Sequence, residues 1–216
     1  MFKITFKLSS QISFIDRPCF DAIVAYAWVK EEFGSVQARL SIPKEEQIDF
    51  TRVLPLDVHE KGYFLASHMH FDGNCAVEQT GSSKRQWENK YDHLADFKKS
   101  ARKIDVSRGE FKSYDLPVNL VSTPEVWFFF YSEDPSRVEY LIDKHILYLG
   151  KKRSQGYGEI SSSEIIEVPD AKIIRPIPKR FYDTSLPIPP GQERFCAWKP
   201  PYWMQDNFEM CIIENQ

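Results

Sequence analysis

The chain has 216 residues, 42% of them hydrophobic and 27% charged, with a formal net charge of −3. That size fits one elaborated domain, or a domain with an appendage, and the apolar content suffices for a core. The near balance of charge excludes a polycation, so any polyanion-binding function rests on local clusters. Cys19, Cys75, Cys196 and Cys211 lie far apart with no CxxC pair. Such spacing argues against a zinc site and a disulfide framework, and no metal or cofactor is expected. The start, MFKITFKLSSQ, lacks the apolar run of a signal peptide. No apolar run approaches the roughly 20 residues of a membrane span. The expectation is a cytoplasmic protein with free thiols and no membrane contact.

Residues 2–8, FKITFKL, alternate with period two and predict a half-buried strand with Phe2, Ile4, Phe6 and Leu8 on one face. Asp16-Arg17-Pro18 predicts a helix start, with Asp16 as N-cap and Pro18 in the first turn. Residues 19–33 are apolar around most of the helical circumference, so this helix should be well buried. Gly34 should end it in the left-handed conformation. Residues 62–72, GYFLASHMHFD, predict a strand with Tyr63, Leu65, Ser67 and Met69 on one face and Phe64, Ala66, His68 and His70 on the other.

Residues 80–115 are polar with few apolar anchors, and 125–131, EVWFFFY, predict a central strand. Asp134 and Pro135 predict the cap and first position of a second helix, with Val138, Leu141, Ile142, His145, Ile146 and Leu149 on its apolar face and Gly150 as its stop. Residues 158–168 predict a further strand. The order gives an α+β, ferredoxin-like (RRM-like) βαββαβ body over 1–168, with a basic insertion at about 73–115 between its halves. Residues 169–216 hold eight of the fourteen prolines, in RPIPKRF, LPIPPG and WKPPYW. These runs predict an extended segment packed on the body or on a partner, without regular helix or central strand.

Between the second helix and the last strand lies LGKKRSQGYGEI, which holds three of the nine glycines and three consecutive cations. A P-loop needs strand, GxxxxGK[ST], then helix; here the lysines precede the second glycine and the loop runs from helix to strand. A dinucleotide fingerprint must open a helix and needs a third glycine. Two readings remain. In one, Gly156 and Gly158 let backbone approach phosphates, Lys151, Lys152 and Arg153 supply charge, and Tyr157 offers a stacking face. In the other, the segment is a helix C-cap followed by solvated lysines.

The loop, as Gly150, Lys151, Arg153, Gly156, Tyr157 and Gly158 before a strand, resembles that of the RAMP superfamily of CRISPR-associated proteins. The helix run Asp21-Ala22-Ile23-Val24-Ala25-Tyr26-Ala27 resembles the start of the smaller RAMP subunit of type IV CRISPR effector complexes, and WKPPYW is similar to that group too. The loop departs from the family form in having only Gly150 before its basic residues. The resemblance implies a structural subunit that grips the 5′ handle of a CRISPR RNA and caps a filament of larger RAMP backbone subunits. It implies partnership with those subunits, with a large subunit of the complex, and with target nucleic acid through the complex. RNA cutting usually belongs to another subunit. The loop residues that would contact RNA are Gly150, Lys151, Lys152, Arg153, Ser154, Gln155, Gly156, Tyr157 and Gly158.

Other clusters carry competing readings. Residues 84–112 hold nine cations against five acids. Lys84, Arg85, Lys90, Lys98, Lys99, Arg102 and Lys103, with Trp87 interleaved, read as an arm along RNA like the thumb of RAMP subunits, or as a solvated insertion. Residues 171–180 add Lys172, Arg175, Lys179 and Arg180 with no acid, extending an RNA groove, meeting a partner subunit or simply solubilising the tail. His68 and His70 could serve as acid and base in a metal-independent RNA cleavage, or could stack on RNA, or fill a half-buried face. His59, His93 and His145 show no evident partner, and His145 reads as a packed residue. Trp198 to Trp203 read as closing the protein's own core or as a subunit contact, and the proline-rich tail as a protein adaptor.

Overall fold

β1 (Phe2–Leu8) forms where the sequence alternates, and it buries Ile4 and Phe6 completely. A computed structural model describes residues 1–37, 48–73, 75–84, 114–182, 190–202 and 204–214. β1 lies between β5 (Glu125–Phe130) and β6 (Ile160–Glu167), antiparallel to both. α1 (Phe20–Gln37) and α3 (Pro135–His145) meet the inward face of this sheet and each other. The core is phenylalanine-rich: Phe20 packs at 5.3 Å from Phe128 and 4.9 Å from Phe130, and Phe6 meets Phe128 edge-on at 5.9 Å. Full burial of each ring contributes on the order of 2 kcal/mol beyond leaving it exposed.

The segment 64–70 runs along the other edge of β5 but not as a continuous strand. Ala66 bridges Phe130 and His70 bridges Trp127. Between them the ladder is interrupted because the Phe129 amide donates to the Ser67 hydroxyl at 2.9 Å instead of to a backbone carbonyl. The expected uninterrupted strand over 62–72 is corrected accordingly. On its far side this segment holds residues 18–20: Met69 N–H donates to the Pro18 carbonyl and Phe20 N–H to that of Ser67, both within 2.9 Å. That extended grip delays α1 to Phe20, so Asp16 is not its cap. Asp16 instead takes Arg194 in a two-pronged pair at 2.5 and 3.0 Å. Gly34, at φ 73 and ψ 168, breaks α1 rather than ending it, and a last turn continues to Gln37.

α3 begins as expected, with the Asp134 side chain accepting from the Arg137 amide at 2.9 Å and Pro135 in the first turn. It ends at His145, five positions before Gly150. Ile146 is already extended, at φ −112 and ψ 93, and its amide closes the helix on Ile142. Lys30 of α1 donates to the His145 carbonyl at 3.0 Å, satisfying one of the orphan acceptors at this end. His145 is not merely packed. Its Nε2 lies 2.6 Å from Glu31, which also receives Lys144 and Tyr140, and these bonds pull the Glu31 carboxyl down to about 2. α2 (Phe50–Val53) is a single turn capped by Asp49.

Two parts of the chain have more regular structure than the composition predicts. β3 (Ala76–Lys84) and β4 (Tyr114–Ser122) pair antiparallel over their full length, and β2 (Ile12–Ser13) adds to β4. They form the root of the basic insertion. Residues 85–113 lie outside the described residues. The tail also contains a sheet: β7 (Ile177–Pro178), β9 (Phe208–Glu214) and β8 (Gly191–Ala197), in that order. The prolines sit in its connections and in the two-residue β7, so the runs GQERFCA and FEMCIIE remain free to pair. The expectation of a tail without regular structure is therefore corrected.

Candidate nucleic-acid interface

The stretch 147–160 is a closed hairpin, not an open flexible loop. The Leu149 amide donates to the Gly158 carbonyl at 2.8 Å, and the Ile160 amide donates to the Leu147 carbonyl at 3.0 Å. At the tip a 3-10 turn over Arg153–Gln155 is flanked by left-handed Lys152 (φ 57) and Gly156 (φ 86). The base is fixed to the link between β1 and α1: Lys151 N–H donates to the Ser13 carbonyl at 2.6 Å and Gly158 N–H to that of Gln11 at 2.8 Å. A Cβ on Gly150 would stand 2.3 Å from the Ser13 oxygen, and one on Gly158 only 1.9 Å from the Leu149 oxygen. Those two glycines serve close approach of the chain to itself. Gly158 is buried and offers no backbone to a phosphate, which corrects that part of its expected role. Gly156 has open space around it.

Lys151, Arg153, Ser154, Gln155 and Gly156 face outward, while Lys152 and Tyr157 are half-buried. The same link 9–13 anchors the insertion root. Gln11 donates to Ser122 of β4 at 2.7 Å and to Glu78 of β3 at 3.1 Å. The glycine loop and the root of the basic arm are far apart in the sequence; the fold ties both to one short segment. Lys84 closes β3, whereas Arg85, Trp87, Lys90, Lys98, Lys99, Arg102 and Lys103 lie outside the described residues, as does His93. Tyr26, named in the sequence only as part of the α1 run and not as a contact residue, meets the loop. Its ring centroid lies 5.2 Å from the Arg153 guanidinium and 5.3 Å from the Lys30 ammonium.

His68 and His70 do come together, with ring centroids 5.2 Å apart. His70 stacks on Trp127 and meets Phe129 edge-on. His68 is only 6% exposed. Burial lowers both histidines to about 4, helped by the charges of His70 and then Arg17 at His68 and of Arg17 at His70, so both are neutral near pH 7. His59 stacks on Tyr63 at 4.5 Å, and its Nδ1 accepts the Lys61 amide. A cleft of about 740 Å³ lies beside His68, between residues 14–19 and the tail sheet, away from the glycine loop.

The basic run 171–180 is consumed internally. Lys172 meets Glu214, Lys179 meets Glu193 at 2.7 Å, and Arg180 meets Glu209 at 2.8 Å. Arg175 is fully buried and pairs with buried Asp21 at 3.1 Å. Its guanidinium also donates to the carbonyls of Phe64, Ala66 and Trp198. Burial alone would lower the Arg175 pKa; Asp21, Tyr202 and Cys19 outweigh it and hold the group charged. Tyr202 donates to Asp21 at 2.8 Å, and Trp198 is 4% exposed against Phe181. Within the tail run Arg175 is thus a core residue, while Lys172, Lys179 and Arg180 form surface ion pairs, and Trp198 and Tyr202 close the protein's own core. Trp203 lies outside the described residues. Among the described residues no group of His, Cys, Asp and Glu is placed to hold a metal, and no helix is long and apolar enough to cross a membrane. All four cysteines are free thiols, and Cys19 is pushed up to about 12 by burial and by Asp21.

The family described as CRISPR type IV associated protein Csf3 matches residues 1–214. The chain belongs to that family. Its role is therefore CRISPR-associated, and the resemblance of the glycine loop and the α1 run is accounted for. No curated protein matches the chain. Among solved structures, a chain described as "Cryo-EM structure of the Type III-B Cmr-beta bound to cognate target RNA" is similar at 12% identity and a TM-score of 0.37, over 77% of this chain. This chain spans 60% of the length of that one.

Proposed function

We propose that the chain is a non-catalytic RNA-binding subunit of a type IV CRISPR effector ribonucleoprotein. It grips the 5′ handle of the CRISPR RNA at the 150–158 hairpin and caps a filament of larger RAMP backbone subunits. The observation that carries this reading is the hairpin's construction: Gly150 and Gly158 lock its base while Lys151 and Arg153 stand outward beside the root of the basic arm. A rigid cationic tip loses little entropy on binding a phosphate chain. The body is read as ferredoxin-like, since residues 64–70, β5, β1 and β6 lie side by side in that order with α1 and α3 on one face.

The test is binding of labelled repeat-derived RNA to the full chain, with and without the larger backbone subunit, across a salt series. Log affinity should fall with log salt by about 0.7 per phosphate neutralised. Absence of binding at low salt, even with the backbone subunit, overturns the reading. The alternative, a metal-independent endoribonuclease using His68 and His70, requires an imidazole that titrates near the working pH. Their burial and lowered pKa of about 4 favour the non-catalytic reading. Site-specific cleavage of repeat RNA in EDTA, lost in His68→Ala or His70→Ala, would reverse that preference.

A further inference from the structure

Tyr26 is the one exposed residue between Phe20 and Glu31, at 39% exposure in a stretch that is otherwise buried or half-buried. A large ring left 39% exposed at the centre of a core helix forgoes part of the hydrophobic stabilisation open to it there. Its surroundings are cationic. Lys30 lies one turn further along α1, and its ammonium is pinned by the His145 carbonyl at 3.0 Å. Arg153 comes from the tip of the glycine hairpin, is exposed, and rests its guanidinium over the ring at 5.2 Å. The nearest acids along the helix, Asp21 and Glu31, are already committed, Asp21 to Arg175 and Tyr202 and Glu31 to Lys144, His145 and Tyr140.

We propose that Tyr26 is a stacking site for one base of single-stranded RNA. Lys30 stays in place, the base takes the position of the Arg153 guanidinium on the ring, and Arg153 turns to the adjoining phosphate. The cation–π contact in the free protein keeps the ring and the guanidinium pre-aligned, and it is weak enough at an exposed site to be exchanged. Base stacking on an aromatic ring is stronger and tolerates any base, because every base has a π-face. This inference rests on the RNA-binding reading and adds to it a base contact outside the loop.

The experiment measures affinity of the full chain for fluorescein-labelled oligouridine and for an abasic ribose-phosphate chain of equal length and charge. Wild type should prefer oligouridine. Tyr26→Ala should lower oligouridine affinity about tenfold, leave the abasic chain within about twofold, and leave the salt slope unchanged. Tyr26→Trp should retain the preference, which separates a lost ring from a disturbed helix. Arg153→Ala should reduce the salt slope for both chains by about 0.7 while keeping the preference for bases. Equal binding of the two chains by wild type, or oligouridine affinity untouched by Tyr26→Ala, overturns the stacking site. Binding of repeat RNA but not of oligouridine overturns it too, while leaving the RNA-binding reading intact. Failure to bind either RNA overturns both.

Discussion

Lys151, Lys152 and Arg153 stand on a hairpin tip where Lys151 and Arg153 face solvent, whereas Lys172, Arg175, Lys179 and Arg180 each meet a carboxylate of the same chain. Both runs read as candidate phosphate contacts, since neither contains an acid. The difference lies in what folding brings to them. The tail run is laid across β8, β9 and the start of α1, where Glu193, Glu209, Glu214 and Asp21 wait. The hairpin is tied down through backbone amides at its base, and its Lys151 and Arg153 side chains face solvent. A basic cluster is therefore available to a ligand only where the backbone, not the side chains, does the anchoring.

The sharpest way to break this contrast is Arg175→Ala. It strands Asp21 in the core, and unfolding by urea should show a loss of about 3–5 kcal/mol. Arg175→Met combined with Asp21→Leu should restore most of it, since an apolar pair leaves no charge uncompensated. If Arg175→Ala instead kept its stability and lost RNA binding, the tail run would have to be a ligand surface.

The next effect is pH. His68 and His70 are held near 4 in the folded chain, below the ordinary 6.5, so the unfolded chain takes up protons first. Stability should be flat above pH 6.5 and fall as pH drops towards 4, by on the order of 3 kcal/mol for buried His68. Charging His68 sets a new cation near Arg17, His70 and Arg175, which is why the tail side of the molecule should loosen first. A stability curve that stays flat from 6.5 to 4 under urea would contradict the burial of the pair.

On the hairpin side, Gly158→Ala forces a Cβ into the Leu149 carbonyl at a φ of 73. It should cost about 1–3 kcal/mol and reduce RNA affinity although no charge is removed. Gly156→Ala, in open space, should cost less than Gly158→Ala in the same melting experiment. Smaller effects should come from the exposed tail pairs. Lys179→Ala breaks a half-exposed contact with Glu193 and should change stability by at most about 1 kcal/mol, with RNA affinity unaltered. By contrast, Lys151→Ala should leave stability within about 0.5 kcal/mol and flatten the salt dependence of RNA binding.

What was readable in the sequence follows the range of the interactions. β1 and the Asp134-Pro135 start of α3 are set by residues within one or two turns of each other, and both stand where the pattern places them. The end of α3 depends on Lys30, a contact across 115 positions, and periodicity alone overran it. The 64–70 segment alternates like a strand, but one serine hydroxyl takes over a ladder bond. The tail strands were hidden by their prolines, although GQERFCA and FEMCIIE are themselves continuous pairing segments. In the site, the residue types of the hairpin were legible, but the division of labour among its glycines was not. That division depends on Ser13 and Gln11, which no local pattern connects to Gly150 and Gly158.

The buried pair of Asp21 and Arg175 also has a chronology. Its partners are 154 positions apart, and Tyr202, which completes it, is 181 positions from Asp21. At a synthesis rate of 5–20 residues per second, Arg175 is made about 8–30 s after Asp21. During that interval β1, α1 and β5 can already be assembling, yet the first turn of α1 must keep its carboxylate in water. Closure of the helix end is thus deferred until the tail arrives. A nascent chain interrupted before Arg175 lacks the donor that the Phe64 and Ala66 carbonyls and the Asp21 carboxylate share in the finished fold.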